Sequence, residues 1–529
     1  MRTIHRAALR TLKNGKHRAA CHVLLGTLTM TLLACTTEPG ADAGADPEPP
    51  AKTPEEACDA LSGVTIGEAK LSDPTLVAVA DGIGEHCKVT GLLGTSLRFE
   101  AYLPTQWNKK LLYVGGGGWD GSIPTGILRP WDASGGYVTV ASNGGHDDPT
   151  GAVFLDNPEV QKDFGYLQIH KVLGAVLAII QERYGEQPTR RYFEGCSNGG
   201  REELIEASRW PEDFDGIVAR APAYSFTELL LAFNNNMKHM LGTPGGHIDA
   251  AKAATITSAA LAACDALDGV ADGVISNVAA CAFDPASLLC PADESDTCLT
   301  QEQINTAQAI YGEFKLANGT SIYPGWGPGG EGEPEGFPLW LIGTPESSPI
   351  PVQMFFSESL IRNWILKDPG YDTLQFEPEE HLPEIAQAAE ILDASTDLKE
   401  FFAREGKLIL VHGTNDWAIS YKGSIKYWNG VAEAVGGEAV RDENLEFFLQ
   451  PGVQHCAGGA GADTVDLLSP LSRWVEEGKP PSTQSIVSSK LDMEGAVKFQ
   501  RPLCEYPEYP RYDGSGDTND AASYTCTEP

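Results

Sequence analysis

Short apolar strands alternate with helical segments near both ends of the chain, and this alternation limits the possible folds more than any other feature. The predicted strands are residues 109–118, 136–145, 190–196, 215–223, 407–416 and 444–456. Helical spacing and a terminal glycine predict helices over 166–185 and 421–436, and a further helix is predicted to begin at Asn198. Such alternation favours an α/β fold, with a mainly parallel sheet covered by helices on both faces.

The alternation stops at residue 224 and resumes at 395. The stretch between contains four cysteines, the Gly- and Pro-rich loop 324–338 and scattered helical segments. We interpret 224–394 as a lid domain inserted between core segments 54–223 and 395–529. An independent second domain is the weaker alternative, because candidate catalytic residues lie on both sides of the insertion.

The N-terminal segment has the pattern of an export signal. Residues 1–34 carry six Lys or Arg and no acid, and their apolar part, 23–34, is too short to span a membrane. It ends in L-L-A-C at Cys35, which is typical of a bacterial lipoprotein whose cysteine is lipidated; an ordinary signal peptide is the alternative. Residues 35–53 predict a disordered tether. The protein is therefore expected at the cell surface or secreted, with a lipid on Cys35 as its only membrane attachment.

The net charge and the number of cysteines limit the possible functions and the cellular compartment. A net charge of −35 repels phosphate backbones and argues against nucleic-acid binding. Ten cysteines follow the leader, and an even number in an exported chain predicts disulfides. Nothing in the sequence indicates the oligomeric state.

The segment G-C-S-N-G contains the candidate nucleophile, Ser197. G-x-S-x-G exposes a serine hydroxyl on a sharp turn between a strand and a helix, and here a predicted strand precedes the motif and a predicted helix follows it. A structural turn is one alternative. Catalysis by Cys196 is another, disfavoured in an oxidising compartment.

A nucleophilic serine needs a base and an acid, which in this architecture follow it along the chain. His455 lies in a Gly-rich loop just after a predicted strand, whereas His412 lies inside a strand and is expected to pack. Asp416 directly follows its strand. Asp442 and Glu443 are rival acids, but they precede a strand and should lie at the opposite edge of the sheet.

Acyl transfer also needs donors for the oxyanion. We expect one to be the backbone amide of Asn198, directly after the nucleophile. The Gly-rich loop 115–121 should supply the other, from Gly118 or, as the alternative, Gly117. If the triad forms, its two loops meet, and Cys196 and Cys456 come within disulfide range.

The segments GCSNGGRE, GTNDWA and QHCAGG together resemble the tannase and feruloyl esterase family, which includes mono(2-hydroxyethyl) terephthalate hydrolase. The similarity extends to SNGGHDD, CDALDGVADGVI and the C-terminal tail, and so covers nearly the whole mature chain. It implies an α/β-hydrolase core, a lid over the active site and serine esterase chemistry on aromatic acid esters.

The same resemblance implies disulfides and a metal site. The implied pairs are Cys196–Cys456, Cys58–Cys87, Cys264–Cys281, Cys290–Cys298 and Cys504–Cys526. It also implies a structural calcium ion in the lid, bound by Asp265, Asp268 and Asp272 and by the carbonyls of Val270 and Val274. Composition alone leaves a solvated acidic turn equally open, although three close carboxylates do favour a cation.

The lid sequence indicates the acyl group. No Lys or Arg occurs between Lys315 and Arg362, and the stretch is rich in aromatic residues, namely Tyr323, Trp326, Phe337, Trp340, Phe355 and Phe356. These favour a phenolic acyl group such as hydroxycinnamoyl, with galloyl next, unless they only pack the lid core. A terephthalate monoester would need a cation, such as Arg362 reaching inwards. A non-catalytic calcium-stabilised lipoprotein and a lipase or polyester depolymerase are the remaining alternatives.

Overall fold

The computed structural model describes residues 52–80, 82–124, 136–292, 294–344 and 348–529. The predicted signal segment, Cys35 and nearly all of the tether lie outside the described residues. Lys52–Pro529 forms one compact unit.

One large mixed sheet organises this unit, with three small two-stranded sheets beside it. The strands are β1 Thr65–Ile66, β2 Ala69–Leu71, β3 Thr75–Val77, β4 His86–Leu93, β5 Leu97–Pro104, β6 Lys110–Val114, β7 Val138–Ser142, β8 Arg190–Cys196, β9 Gly216–Arg220, β10 Phe314–Lys315, β11 Ser321–Tyr323, β12 Lys407–Gly413, β13 Leu445–Gln450, β14 Val487–Leu491, β15 Val497–Pro502, β16 Tyr509–Tyr512 and β17 Tyr524–Thr527.

The order in the large sheet is β1-β2-β4-β5-β7-β6-β8-β9-β12-β13, with β3 beside β4. From β7 to β13 every neighbouring pair is parallel, whereas β1 to β5 and the β5–β7 pair are antiparallel. The carboxyl ends of the parallel strands therefore meet at one edge, where open α/β sheets bind their ligands.

Helices cover the sheet and fill the stretch between β9 and β12. They are α1 Pro54–Asp59, α2 Pro158–Lys162, α3 Gln168–Tyr184, α4 Asn198–Arg209, α5 Phe226–Met237, α6 Ala250–Cys264, α7 Gln301–Tyr311, α8 Val352–Ser359, α9 Leu382–Leu392, α10 Lys399–Ala403, α11 Tyr421–Val435, α12 Glu438–Asp442 and α13 Leu468–Glu477. The three predicted core helices correspond to α3, α4 and α11. Gly185 and Gly436 end α3 and α11 in the left-handed conformation, with φ of 75° and 103°.

The insertion interrupts the sheet between two neighbouring strands. β9 pairs directly with β12, so the chain leaves the sheet after Arg220 and returns at Lys407. The intervening residues form a hydrophobic core of their own, which also contains Trp119 and Trp417 from the loops of the sheet. This packing places the insertion over the carboxyl ends of the strands.

One helical run among the described residues, Pro158–Tyr184, is long and apolar enough to span a membrane. Most of it is buried in the protein, and α3 within it packs on β5 and β7. A core helix passes the same test of length and hydropathy.

Candidate active site

Ser197 lies on the turn between β8 and α4, in a strained conformation with φ of 65° and ψ of −121°. Its amide donates to the Arg220 carbonyl at the end of β9, and its carbonyl accepts from the Ala223 amide. The backbone around the turn holds this conformation in place.

The flanking glycines are required by close backbone packing. A Cβ on Gly195 would lie 2.8 Å from the Gly199 carbonyl carbon, and one on Gly199 would lie 2.9 Å from the Gly116 carbonyl oxygen. The turn therefore has the geometry that G-x-S-x-G requires.

His455 and Asp416 form a hydrogen-bonded pair at the same edge of the sheet. The His455 Nδ1 atom lies 2.8 Å from Asp416 Oδ2. The other carboxylate oxygen of Asp416 accepts from the amides of Ala418 and Ile419, each at 2.8 Å. Within the described residues His455 Nε2 makes no hydrogen bond, so it is available to a serine hydroxyl, and Ser197 and His455 line the same cavity.

Asp416 is fully buried, yet its carboxyl group stays ionised. Burial alone would raise its pKa, but the charge of His455 and the hydrogen bonds from His412 and His455 lower the pKa well below its usual range. A carboxylate ionised at all ordinary pH values can orient His455 and stabilise its protonated form.

The rival residues occupy other places. His412 is buried behind Asp416, where its Nδ1 contacts the Ser424 hydroxyl at 2.7 Å and its Nε2 donates to the Ile419 carbonyl. Asp442 pairs with Arg441 and, with Glu443, precedes β13 at the opposite end of that strand.

The Gly-rich loop after β6 lies beside the nucleophile. The Gly116 amide donates to Glu202 and the Gly117 amide to Asp120, so Gly117 is already committed. Within the described part of the chain the Gly118 amide makes no hydrogen bond. Asn198 begins α4, where the first amides of a helix have no partner inside it. The amides of Gly118 and Asn198 are thus both available as donors.

Five disulfides join the ten cysteines that follow the leader. They are Cys58–Cys87, Cys196–Cys456, Cys264–Cys281, Cys290–Cys298 and Cys504–Cys526, the pairs that the resemblance implied. The second joins the residue before Ser197 to the residue after His455, with the two Cα atoms 5.9 Å apart.

A cavity of about 480 Å³ opens beside Ser197. It is lined by Val114, Gly115, Gly116, Gly117, Gly118, Pro124, Gly195, Cys196, Ser197, Asn198, Ala223, Phe226, Leu229, Leu230, Phe233, Trp340, Phe356, Ala418, Ile419, His455 and Cys456. Among these described residues there is no Lys, Arg, Asp or Glu, so the cavity is apolar apart from its reactive edge.

The lid aromatics divide into two groups. Trp340 and Phe356 line the cavity, and the Trp340 ring meets His455 edge-on at 5.5 Å. Tyr323, Trp326 and Phe337 are buried in the core of the insertion, and Phe355 packs against that core. The expectation that the aromatics line the cavity is therefore correct for two of the six.

Helix α5 provides a wall that the sequence analysis missed. Phe226, Leu229, Leu230 and Phe233 all line the cavity from one side of this helix. These residues are spaced three and four apart, which indicates one apolar face of a helix, and that helix is the first one after β9.

The predicted metal-binding turn, residues 265–274, has some of its carboxylate oxygens already engaged by other groups. Asp268 is buried, and its Oδ2 has no hydrogen-bond partner among the described residues, so a cation bound there would satisfy it. Asp272, however, already pairs with Arg501 at 2.6 Å, and Asp265 accepts from the Gly273 amide. No group of three His, Cys, Asp or Glu side chains in the described ranges is arranged to hold a metal. The turn offers oxygen ligands, which are the kind that calcium prefers, and among the described residues Asp268 Oδ2 is the carboxylate oxygen of the turn that is buried without a partner.

Similarity to a solved structure identifies the class of fold. The chain resembles the crystal structure of feruloyl esterase B from Aspergillus oryzae with a TM-score of 0.79 and 26% identity, over 89% of this chain and 99% of that one. Sheet, insertion and elbow are those of an α/β hydrolase, as the sequence predicted.

The family follows from the sequence comparisons. Residues 81–527 match the family described as tannase and feruloyl esterase. An uncharacterised esterase of Agrobacterium fabrum is 34% identical, over 87% of this chain and 89% of its own. Mono(2-hydroxyethyl) terephthalate hydrolase of Piscinibacter sakaiensis is 31% identical, over 85% and 86%. The chain belongs to the tannase and feruloyl esterase family and is a carboxylic ester hydrolase.

Proposed function

We propose that this enzyme hydrolyses small esters of aromatic acids, of the hydroxycinnamoyl or galloyl type, through an acyl-enzyme on Ser197. His455 removes the serine proton as the hydroxyl attacks the ester carbonyl. The amides of Gly118 and Asn198 hold the oxyanion, and His455 then protonates the leaving alcohol. Water hydrolyses the acyl-enzyme by the same route, with Asp416 stabilising the imidazolium in both halves.

The observation that carries the acyl preference is the uncharged, aromatic-lined cavity beside Ser197. Phe226, Phe233, Trp340 and Phe356 offer ring edges and faces to a planar acyl group. A volume of about 480 Å³ lies within the range of small-ligand pockets. A polymer chain would need a more open cleft, which counts against polyester depolymerisation.

Hydrolysis of a terephthalate monoester is the alternative that the similarity to mono(2-hydroxyethyl) terephthalate hydrolase raises. Its free carboxylate would have to be buried in the cavity, where an unpaired charge is costly. Arg362, the cation considered from the sequence, instead pairs with Glu358 at 2.9 Å and donates to the Tyr371 carbonyl. This observation favours a neutral acyl group.

The test is hydrolysis of methyl ferulate, methyl gallate and a terephthalate monoester by the mature protein and by Ser197→Ala. We expect turnover of the first two esters and no turnover by the variant. Cleavage of the terephthalate monoester alone would overturn the acyl assignment. No turnover of any ester by folded protein would favour the non-catalytic lipoprotein.

We also propose that a calcium ion stabilises the 265–274 turn. Asp265, Asp268 and Asp272 would hold it with the carbonyls of Val270 and Val274, and its role would be structural. The unpartnered oxygen of Asp268 supports this assignment. The bound ion would remove the repulsion among the three carboxylates.

Export is proposed from the N-terminal sequence, with Cys35 as the lipidated residue. The five disulfides are consistent with an oxidising compartment. Mass spectrometry of the membrane-associated protein would test for a lipid on Cys35, and an unmodified, freely secreted chain would favour the ordinary signal peptide.

A further inference from the structure

A buried acid pair lies beneath the Gly-rich loop and takes no direct part in the proposed chemistry. Asp120 is the second-last residue of this loop, and Glu202 lies on α4, one turn after Asn198. The two residues are 6% and 3% exposed. Two carboxyl groups in one dry site normally repel each other, so their arrangement needs a physical reason.

The pair binds the loop directly. The Gly116 amide donates to Glu202 Oε2 at 3.0 Å, and the Gly117 amide donates to Asp120 Oδ1 at 2.9 Å. Two successive amides are thus fixed by two different acids. The next amide, that of Gly118, is left for the oxyanion.

The pair also binds the residue that supplies the other oxyanion donor. The Asn198 side-chain amide donates to Asp120 Oδ1 at 3.2 Å and to Glu202 Oε1 at 2.9 Å. The Gln168 side chain bridges the same acids from α3, at 3.0 Å and 2.8 Å. Both segments that carry proposed oxyanion donors are therefore attached to one acid pair.

The charges indicate how many protons the pair holds. Arg201 is buried in the same cluster, but its guanidinium donates to Asn198 Oδ1 and to backbone carbonyls, not to either acid. The side-chain amides of Asn198 and Gln168 each donate to an oxygen of both acids, which holds the two carboxyl groups close together, and a proton between them would remove their repulsion. With one proton on the pair, its single remaining negative charge balances the positive charge of Arg201.

We propose that Asp120 and Glu202 share a single proton and act as positioning residues that hold loop 115–118 and Asn198 in the geometry of an oxyanion site. The proton supplies the donor that two carboxylates lack, so that the remaining oxygens can accept from the loop amides. The role of the pair rests on the proposed ester hydrolysis, whereas the shared proton does not.

The electrostatics of the surroundings support the shared proton. Burial raises the pKa of Glu202 well above its usual range, repulsion from Asp120 raises it further, and Arg201 opposes both. Burial also raises the pKa of Asp120, against hydrogen bonds with Glu202 and Gln168. The other titratable groups that interact with the pair are Tyr113, His146, Glu203 and Glu206, and burial raises the pKa of both glutamates well above its usual range.

The kinetic test compares Glu202→Gln with Glu203→Gln. Glu203 is the next residue of α4, equally buried, and makes no hydrogen bond to loop 115–118 within the described residues. Because the oxyanion forms only in the transition state, we expect Glu202→Gln to lower kcat about 10- to 100-fold with KM within about twofold. Glu203→Gln should leave both constants unchanged. Equal kcat values for the two folded variants would overturn the positioning role.

Infrared difference spectra test the proton itself and need no turnover. A shared proton predicts that Glu202→Gln and Asp120→Asn each shift or remove the same protonated-carboxyl band, because both acids hold the one proton. Glu203→Gln should remove a different band. If the band keeps its frequency and intensity in Asp120→Asn, Glu202 is protonated by itself and the shared proton is refuted.

The two tests separate this inference from the proposed function. Absence of ester turnover in the wild-type protein would contradict the proposed function. The infrared spectra would still decide whether Asp120 and Glu202 share a proton. Wild-type turnover with unchanged kinetics in Glu202→Gln contradicts only the positioning role. If Glu202→Gln does not fold, Asp120→Asn provides both measurements, with the same expected results.

Discussion

Removing the Cys196–Cys456 bridge should affect stability and catalysis together. The bridge closes a loop with a sequence separation of 260 residues, whereas Cys290–Cys298 closes one of 8. The chain-entropy relation gives about 5.5 kcal/mol of unfolding free energy for the first loop and about 2.5 kcal/mol for the second. A double Cys→Ala variant of each pair therefore forms a matched comparison, with an expected gap of about 3 kcal/mol.

The assay is urea denaturation followed by tryptophan fluorescence, with kcat on methyl ferulate measured at a temperature where both variants are folded. Loss of the Cys196–Cys456 bridge should also lower kcat about 10- to 100-fold, because it fixes Ser197 relative to His455 and small misplacements are costly. Loss of Cys290–Cys298 should leave kcat unchanged. Equal destabilisation by the two variants would refute the loop-length argument, and unchanged kcat in both would refute the positioning of the triad by the bridge.

Three further outcomes are expected. Asp416→Asn should lower kcat about 10⁴-fold in folded protein, because His455 loses its orienting charge; a kcat within tenfold of wild type would contradict the triad. Burial raises the pKa of Glu446 to about 7, against hydrogen bonds from Ser482. This folded-state pKa lies above the unfolded value of about 4.5, so the protein should lose up to about 3 kcal/mol of unfolding free energy as the pH rises from 4.5 to 8. Urea titrations of Glu446→Gln at both pH values should lack that loss. Chelation with EDTA should lower the Tm of wild-type protein but not of Asp268→Asn, and calorimetry should detect calcium binding only to wild type; equal melting with and without EDTA would contradict the calcium site.

The sequence predicted the sheet core because strands and helices carry local signals. The apolar strand ending at Cys196, the glycines around Ser197 and the stop at Gly185 each reflect a requirement of the nearby backbone. The chain order of Ser197, Asp416 and His455 then pointed to residues that the parallel strands bring to one edge. Local sequence pattern and strand direction are therefore enough to predict the sheet core and the edge at which these three residues lie.

The lining of the cavity was less predictable. Trp326 and Trp340 both belong to the buried core of the insertion, yet only Trp340 also lines the cavity and meets His455. Which side of an apolar segment meets the cavity depends on how the insertion packs over the sheet. Local periodicity does not encode that packing, although the apolar face of α5 was a signal that the sequence analysis did not use.

The sequence by itself determined the α/β order, the insertion between β9 and β12, the elbow and the residue types of the site. The tertiary structure alone decided that Gly117 is committed to Asp120 while Gly118 is not, and that Asp120 and Glu202 meet beneath the loop. These acids are far apart in the chain and belong to a loop and a helix with no shared pattern. Their contact exists only because β6 and β8 are neighbours in the sheet, which brings the segments after both strands together.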